Sequence, residues 1–252
     1  MDLIAERDRK LLWEKANGEE KAYQQLLTRL ENHEPLAYLL EEAVFYDETY
    51  RVTPACLIPR PDTERLVEEA IHRIPEGGVF ADLCTGSGCV AISILAHRPD
   101  LSAFATDISE DALALAAENA KRNGVSDRLT LRKADLLRGE IPTPEGGALL
   151  DAIVSNPPYI ARQVIATLAP EVQKEPRIAL DGGEDGLEFY RVLLSESGRV
   201  IKPQGWLMME IGYDQGDALR SLCAALVSKE SEVIVKRDYG GNDRVVLLRP
   251  NA

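Results

Sequence analysis

Asn156-Pro157-Pro158-Tyr159 is the stretch of this chain best suited to chemistry. It follows the apolar run Ala152-Ile153-Val154-Ser155, which reads as a buried strand. Prolines 157 and 158 donate no backbone hydrogen bonds and push the residues before them into extended geometry. The strand end therefore presents an amide side chain from Asn156, a stiff carbonyl from Pro157 and an aromatic face from Tyr159. Two acceptors and a stacking surface suit the capture of a planar amino group. The structural alternative is a proline pair that simply ends a strand in a loop.

A second constellation lies earlier. Asp82-Leu83-Cys84-Thr85-Gly86-Ser87-Gly88 joins a short apolar strand to a helix. Gly86 and Gly88 permit a tight turn and close approach of a ligand to the backbone. Asp107 stands 19 residues after Gly88 (107 − 88), beyond the next strand. A carboxylate there accepts hydrogen bonds from both ribose hydroxyls of an adenosine. After the third strand, Asp135 is placed to accept from the exocyclic amine of adenine, and Leu136 to cover its face. Asp135 beginning a turn, and Asp107 merely flanking a helix, are the structural alternatives.

The choice of nucleotide turns on charge. Ala91 replaces the third glycine of a dinucleotide fingerprint, a change that fingerprint tolerates, and no Walker lysine follows the turn. Asp82, at the strand's end, repels a pyrophosphate but suits a ligand ammonium, directly or through water. S-adenosylmethionine has an adenosine, an ammonium and no phosphate, so a methyl donor is favoured over a nicotinamide cofactor.

The elements that must position these groups follow from periodicity. Leu11, Leu12, Ala16, Tyr23, Leu26, Leu27 and Leu30 recur at helical spacing, with breaks at Asn17-Gly18 and at His33-Glu34-Pro35. Residues 44–52 read as a hairpin around Asp47-Glu48. Ile58-Pro59-Arg60-Pro61-Asp62-Thr63-Glu64 leads into a helix that Thr63 or Asp62 can cap, with Leu66, Val67, Ala70 and Ile71 on one face. Seven strands follow, at 79–83, 101–106, 129–131, 152–155, 206–210, 232–236 and 244–248. Helices intervene at 88–97, 109–123, 187–197 and 215–227. Strand–helix alternation predicts an α/β fold: a doubly wound, mostly parallel seven-stranded Rossmann-like sheet covered on both faces, with one antiparallel strand from the last pair. A small N-terminal helical domain precedes it. The expected divisions are 1–40 (helical segment), 41–58 (hairpin connector) and 59–252 (methyltransferase domain).

Bulk composition narrows the partners. Net charge is −13 in 252 residues, and no long Lys/Arg run appears, which disfavours nucleic acid as substrate. Only Arg128, Arg132, Lys133 and Arg138 are loosely grouped. No apolar run approaches a membrane span, and Met1–Lys10 lacks a signal-peptide core, so a cytoplasmic protein is expected. The four cysteines form no C-x-x-C pair and there are three histidines, so no metal site is expected.

With these pieces together, the chain resembles the HemK/PrmC family of peptide chain release factor glutamine methyltransferases from about His33 onward. The glycine turn and Asn156-Pro157-Pro158-Tyr159-Ile160 occur in many amino-methylating enzymes. More particular are Ile58 to Glu64, the run Glu175-Pro176-Arg177-Ile178-Ala179-Leu180-Asp181-Gly182-Gly183-Glu184-Asp185-Gly186-Leu187, and Glu210-Ile211-Gly212. The resemblance implies methyl transfer from S-adenosylmethionine to the side-chain amide nitrogen of the glutamine in a release factor's Gly-Gly-Gln motif. It implies that Cys84, Thr85, Gly86, Ser87, Gly88 and Asp107 bind the cofactor, with Leu136 at the adenine. Asn156, Pro157, Pro158 and Tyr159 would hold the glutamine, with Asn156 also near the cofactor. Cys84 stands where the family often has glycine, and the segment before His33 is shorter than the family's domain for engaging the release factor. Arg60 and Glu64 are candidate substrate-side residues or helix-capping ion-pair formers, and Glu210 has the same two readings. The expected partner is a release factor met by a monomer. Rival readings are an adenine-N6 methyltransferase acting on DNA or RNA, a nicotinamide-dependent oxidoreductase, and an adaptor without turnover.

Overall fold

Leucines bring the N-terminal helices together. Helices α1 (Glu6–Lys15), α2 (Glu20–Glu31) and α3 (Leu36–Leu40) close over Leu12, Leu27 and Leu39. Asn17 and Gly18 make the expected break, both in the left-handed region at φ 51° and 74°. Pro35 ends the second helical pattern but then opens α3, which periodicity did not reveal; proline breaks a helix from inside, yet its fixed φ suits a helix start. Strands β1 (Glu42–Phe45) and β2 (Glu48–Arg51) pair as the expected antiparallel hairpin. The computed structural model describes residues 5–228 and 231–249. Residues 1–4, 229–230 and 250–252, which the expected segments include, lie outside the described residues.

Seven strands build the main sheet: β3 (Val79–Leu83), β4 (Ser102–Asp107), β5 (Leu129–Lys133), β6 (Leu150–Ser155), β7 (Ile201–Glu210), β8 (Glu232–Arg237) and β9 (Asp243–Arg249). Their order is β5-β4-β3-β6-β7-β9-β8. The β5–β4, β4–β3, β3–β6 and β6–β7 pairings are parallel, and β9 runs antiparallel to both neighbours. The expected fold class is the observed one. β7 starts at Ile201, earlier than the expected 206, and Pro203-Gln204-Gly205 lies within it, with Gln204 at φ 67°.

Side-chain alternation divides the core into two layers. Phe80, Ala152, Val154, Met208 and Leu247 face α4 (Glu64–Arg73), α5 (Cys89–His97) and α6 (Glu110–Arg122). Ala81, Leu83, Ile153, Leu207 and Met209 face α7 (Glu188–Glu196) and α8 (Gly216–Leu226). Ser109 caps α6 as expected, accepting from the Ala112 N–H. The cap expected for α4 is absent: Pro61–Thr63 forms a tight turn, and neither Asp62 nor Thr63 caps the helix with its side chain. Thr63 is instead buried, and its hydroxyl is used elsewhere. Among the described residues, no helix is long and apolar enough to cross a membrane.

The sheet order creates one crevice. From β3 the chain steps outward through β4 and β5; it returns to place β6 on the other side of β3 and then moves away through β7. Ligands of open α/β sheets bind at such a reversal, outside the carboxyl ends of the strands. Leu83 pairs with Ser155 across it, and the Ser155 hydroxyl donates to the Leu83 carbonyl at 2.7 Å. The glycine turn and Asn156-Pro157-Pro158-Tyr159 therefore leave the sheet side by side.

Candidate active site

Backbone geometry explains the glycine turn. Cys84, Gly86 and Gly88 all lie at positive φ, 61°, 55° and 83°. The Gly86 N–H donates to Asp107 Oδ2 and the Ser109 N–H to Asp107 Oδ1, each at 2.9 Å. A carboxylate offers about four lone-pair sites, so Asp107 keeps capacity for a further donor. Burial pushes its pKa up, against the backbone N–H groups that lower it. Asp82 lies deeper, 1% exposed, with Oδ2 accepting from Thr85 Oγ1 at 2.6 Å and the Ala91 N–H at 3.2 Å. Burial pushes its pKa up to about 7. Asn119 fastens the turn to the hairpin, donating to the Ser87 and Arg51 carbonyls and accepting from the Arg51 N–H.

On the other side of the crevice, Asn156 Nδ2 donates to Thr63 Oγ1 at 3.2 Å. Among the described residues, that leaves Asn156 Oδ1 as the side chain's open acceptor. The Tyr159 hydroxyl donates to Glu210 Oε1 at 3.3 Å, and the Tyr159 carbonyl accepts from Gln215 Nε2 at 3.0 Å. Glu210 is 1% exposed and burial pushes its pKa up to about 7. The Ala179–Gly186 run straps this loop in place. Ile160 N–H donates to Leu180, and Gly182 N–H returns to Ile160, at 3.0 and 2.9 Å. A Cβ on Gly182 would sit 2.7 Å from Tyr159 Cα, so only glycine fits.

A buried glutamate joins two distant parts of the cover. Glu175, 5% exposed, accepts from the Ile58 N–H at 2.9 Å through Oε2, and the Arg60 guanidinium closes on Oε1. Ile58, Arg60 and Ile178 thus face a single cavity with the glycine turn. The N-terminal helices reach the same cover: Tyr38 donates to the Cys56 carbonyl at 2.6 Å, and His33 meets Glu171 at 3.3 Å.

Most of the expected residues converge on this cavity. Asp82, Cys84, Thr85, Gly86, Ser87 and Asp107 line it. So do Asp135, Leu136, Asn156, Pro158 and Arg60. Gly88, Pro157, Tyr159 and Glu64 are not in its wall. Gly88 serves the packing of α5 on α6, where a Cβ would fall 3.2 Å from Ala116 Cβ. Glu64 faces the hairpin, accepting from the Tyr46 N–H at 2.9 Å. Asp135 both lines the cavity and begins a turn, accepting from the Leu137 N–H at 3.0 Å. Thr63 and Glu175 were not singled out from sequence as site residues, although both sit inside the two most particular runs.

The lining fits S-adenosylmethionine. Asp82, Asp107 and Asp135 bring carboxylates to the wall, and the Arg60 guanidinium is engaged by Glu175. Such a surface disfavours a pyrophosphate and suits a cationic ligand whose ribose hydroxyls need acceptors. Gly86 leaves bare backbone at the wall, where a Cβ would approach Cys56 Cβ at 3.7 Å.

Comparison with known proteins agrees with this geometry. The family model described as the methyltransferase small domain matches residues 62–184. A release factor glutamine methyltransferase of Moorella thermoacetica is 43% identical over 215 residues, covering 84% of this chain and 74% of that protein. The chain belongs to the release factor glutamine methyltransferase family. The family's member in Nitratidesulfovibrio vulgaris is 40% identical over 231 residues, 91% of this chain and 77% of that one. A solved methyltransferase of Pyrococcus furiosus, 18% identical, shares the fold with a TM-score of 0.60 over 91% of this chain and 99% of that one. Membership makes the chain a methyltransferase and sets aside the oxidoreductase reading.

Proposed function

We propose that this protein transfers a methyl group from S-adenosylmethionine to the side-chain amide nitrogen of the glutamine in the Gly-Gly-Gln motif of release factors. One observation carries the reading: the Leu83–Ser155 pairing sets the Gly86–Asp107 turn beside the Asn156 amide. The relatives named above are release factor glutamine methyltransferases, which supports glutamine over adenine as acceptor.

Asp107 would hold the ribose through its remaining acceptor capacity, Asp135 and Leu136 would hold the adenine, and Asp82 would serve the ammonium, directly or through water. S-adenosylmethionine, when bound, would supply an electrophilic sulfonium methyl group whose loss leaves a neutral thioether, so the site need not stabilise new charge there. Asn156 Oδ1 and the Pro157 carbonyl each accept a hydrogen bond from one N–H of the glutamine amide; as the N–CH3 bond forms and the S–CH3 bond breaks, one of these protons leaves to solvent. A carboxamide nitrogen is a poor nucleophile, and both contacts favour lone-pair density on it while fixing its direction. Tyr159 packs on the amide plane, and Pro158 closes the wall. Alignment of this kind supplies up to ~7–11 kcal/mol for well-oriented reactants. Arg60 acts through the cover it shares with Glu175. The helices of residues 1–40 dock the release factor, the hairpin of 41–58 connects, and a monomer is the expected form, since every residue given a role here comes from one chain.

The test is incubation with labelled S-adenosylmethionine and a purified release factor, followed by mass-spectrometric mapping. Label on the Gly-Gly-Gln glutamine is expected. Label confined to nucleic acid in a parallel reaction would reverse the choice of acceptor.

A further inference from the structure

Glu210 ends β7 with its carboxyl sealed inside the protein, 1% exposed. Burying a carboxyl is costly unless its oxygens are paired. Here Oε1 accepts from Tyr159, while Oε2 has no partner at hydrogen-bonding geometry among the described residues. An apolar residue at this position would avoid that cost. Its surroundings suggest why a carboxyl is present. From the Pro61–Thr63 turn come the Thr63 hydroxyl and the Asp62 carboxylate; from β9 comes the Arg244 guanidinium. Cys89 of α5 is also near, and Tyr190 of α7 donates to the Glu210 carbonyl at 2.8 Å.

The Thr63 hydroxyl accepts from Asn156 Nδ2 at 3.2 Å and lies near enough to the Glu210 carboxyl to lower its pKa. It has one hydrogen and two lone pairs. An ionised Glu210 can only accept, so its charge favours rotation of the Thr63 O–H towards the unpartnered Oε2, which leaves a lone pair for Asn156 Nδ2. The amide then offers Oδ1 to the crevice. A protonated Glu210 can donate to Thr63 instead. The Thr63 hydrogen is released towards Asn156, and the amide loses its preference for one face.

We propose that Glu210 is a positioning residue, which as a carboxylate orients the Asn156 amide through Thr63 and holds the Tyr159 ring by its hydroxyl. The inference rests on Asn156 as the acceptor for the substrate amide, as proposed above. Burial raises the Glu210 pKa to about 7, opposed by Thr63, Arg244 and Tyr159 and reinforced by Asp62. Orientation is therefore gained as pH rises through the neutral range and lost as it falls.

The experiment compares wild type, Glu210→Gln, Thr63→Val and Thr63→Ser. It measures kcat and KM for release-factor methylation between about pH 5.5 and 8.5, with cofactor affinity by calorimetry. The Asn156 side-chain amide is followed by ¹⁵N NMR without cofactor. Wild-type kcat should rise with pH through about 7, and the Asn156 signals should shift over the same interval. Glu210→Gln and Thr63→Val should lose both responses and lower kcat about tenfold or more, on the scale of one mis-set hydrogen bond. Cofactor affinity should stay unchanged, and Thr63→Ser should restore wild-type behaviour. Glu210→Gln with wild-type kcat and an intact pH limb would overturn the proposal. So would wild-type Asn156 signals that ignore pH. If wild type does not methylate the release factor at all, the functional reading fails, and the NMR titration still decides the role of Glu210.

Discussion

Gly182 packs directly on the main chain of Tyr159, so closely that a Cβ would lie 2.7 Å from Tyr159 Cα and 2.8 Å from its carbonyl carbon. The contact is backbone against backbone, so nothing flexible can yield. Gly182→Ala should push the Asn156–Tyr159 loop away from the glycine turn. A displacement of about 1 Å costs about 100-fold in rate. Cofactor affinity, set by the other wall, should hold. Kinetics and calorimetry on the same variant check this, and wild-type turnover would refute it.

Asn156 and Asp107 should separate the two halves of the site. Asn156→Ala should keep cofactor affinity and lower kcat by about 100- to 1000-fold, the scale of one preorganised hydrogen-bonding group. Asp107→Ala should weaken cofactor binding. Each hydrogen bond to a charged group is worth about 1.5–3 kcal/mol, so the loss should be at least about tenfold. The Gly86 N–H also loses its partner in that variant. Unchanged affinity on calorimetry would remove Asp107 from the proposed role.

Cys84 occupies a left-handed position, φ 61°, between the end of β3 and the glycines of the turn. Left-handed backbone costs a residue with a Cβ about 1–2 kcal/mol, and glycine avoids this while losing about 0.5–1 kcal/mol in entropy. Cys84→Gly should therefore leave the melting temperature equal or higher. Cys84→Val, β-branched in the same conformation, should lower it. Burial pushes the Cys84 thiol well above its ordinary pKa, so slow reaction with a thiol reagent is also expected.

Asp82 and Glu210 make stability depend on pH in an unusual direction. Both are buried, and burial pushes both carboxyls up from the ordinary carboxylate range to about 7. Between the ordinary carboxylate range and about 7, the native state holds protons that the unfolded chain releases. Unfolding free energy should then fall as pH rises through this window and level off above it. Urea unfolding at pH 5 and pH 8 measures the difference. Asp82→Asn and Glu210→Gln should each reduce it, and a wild-type stability that increases over this interval would contradict the assignment.

The strands, helices and turns of the sheet were legible because each is written in local periodicity. Asn123-Gly124 and the Ser109 cap appear where expected. The α3 helix escaped because five residues after a proline carry too little pattern. Thr63 occupies the N-cap position of α4 as its type and place suggest, yet its side chain makes no cap bond. Nothing local reports that Asn156, 93 residues away, will claim its hydroxyl. Glu175 was visible only as part of a run, since its partners Ile58 and Arg60 lie 117 and 115 residues distant.

By itself the sequence determined the kinds of groups available: an acceptor-rich strand end, a bare-backbone turn, an acid after the second strand. Hydrophobic alternation and turn chemistry act over a few residues, so these were readable in order. Only the tertiary structure decided which of them meet. The reversal of strand order at β3 and β6 brings Leu83 against Ser155, 72 residues on, and with them the two halves of the site. Burial then converted Glu210 from a plain strand-end acid into a carboxyl that titrates near neutrality beside Thr63 and Tyr159, because desolvation exists only once the chain has closed around it.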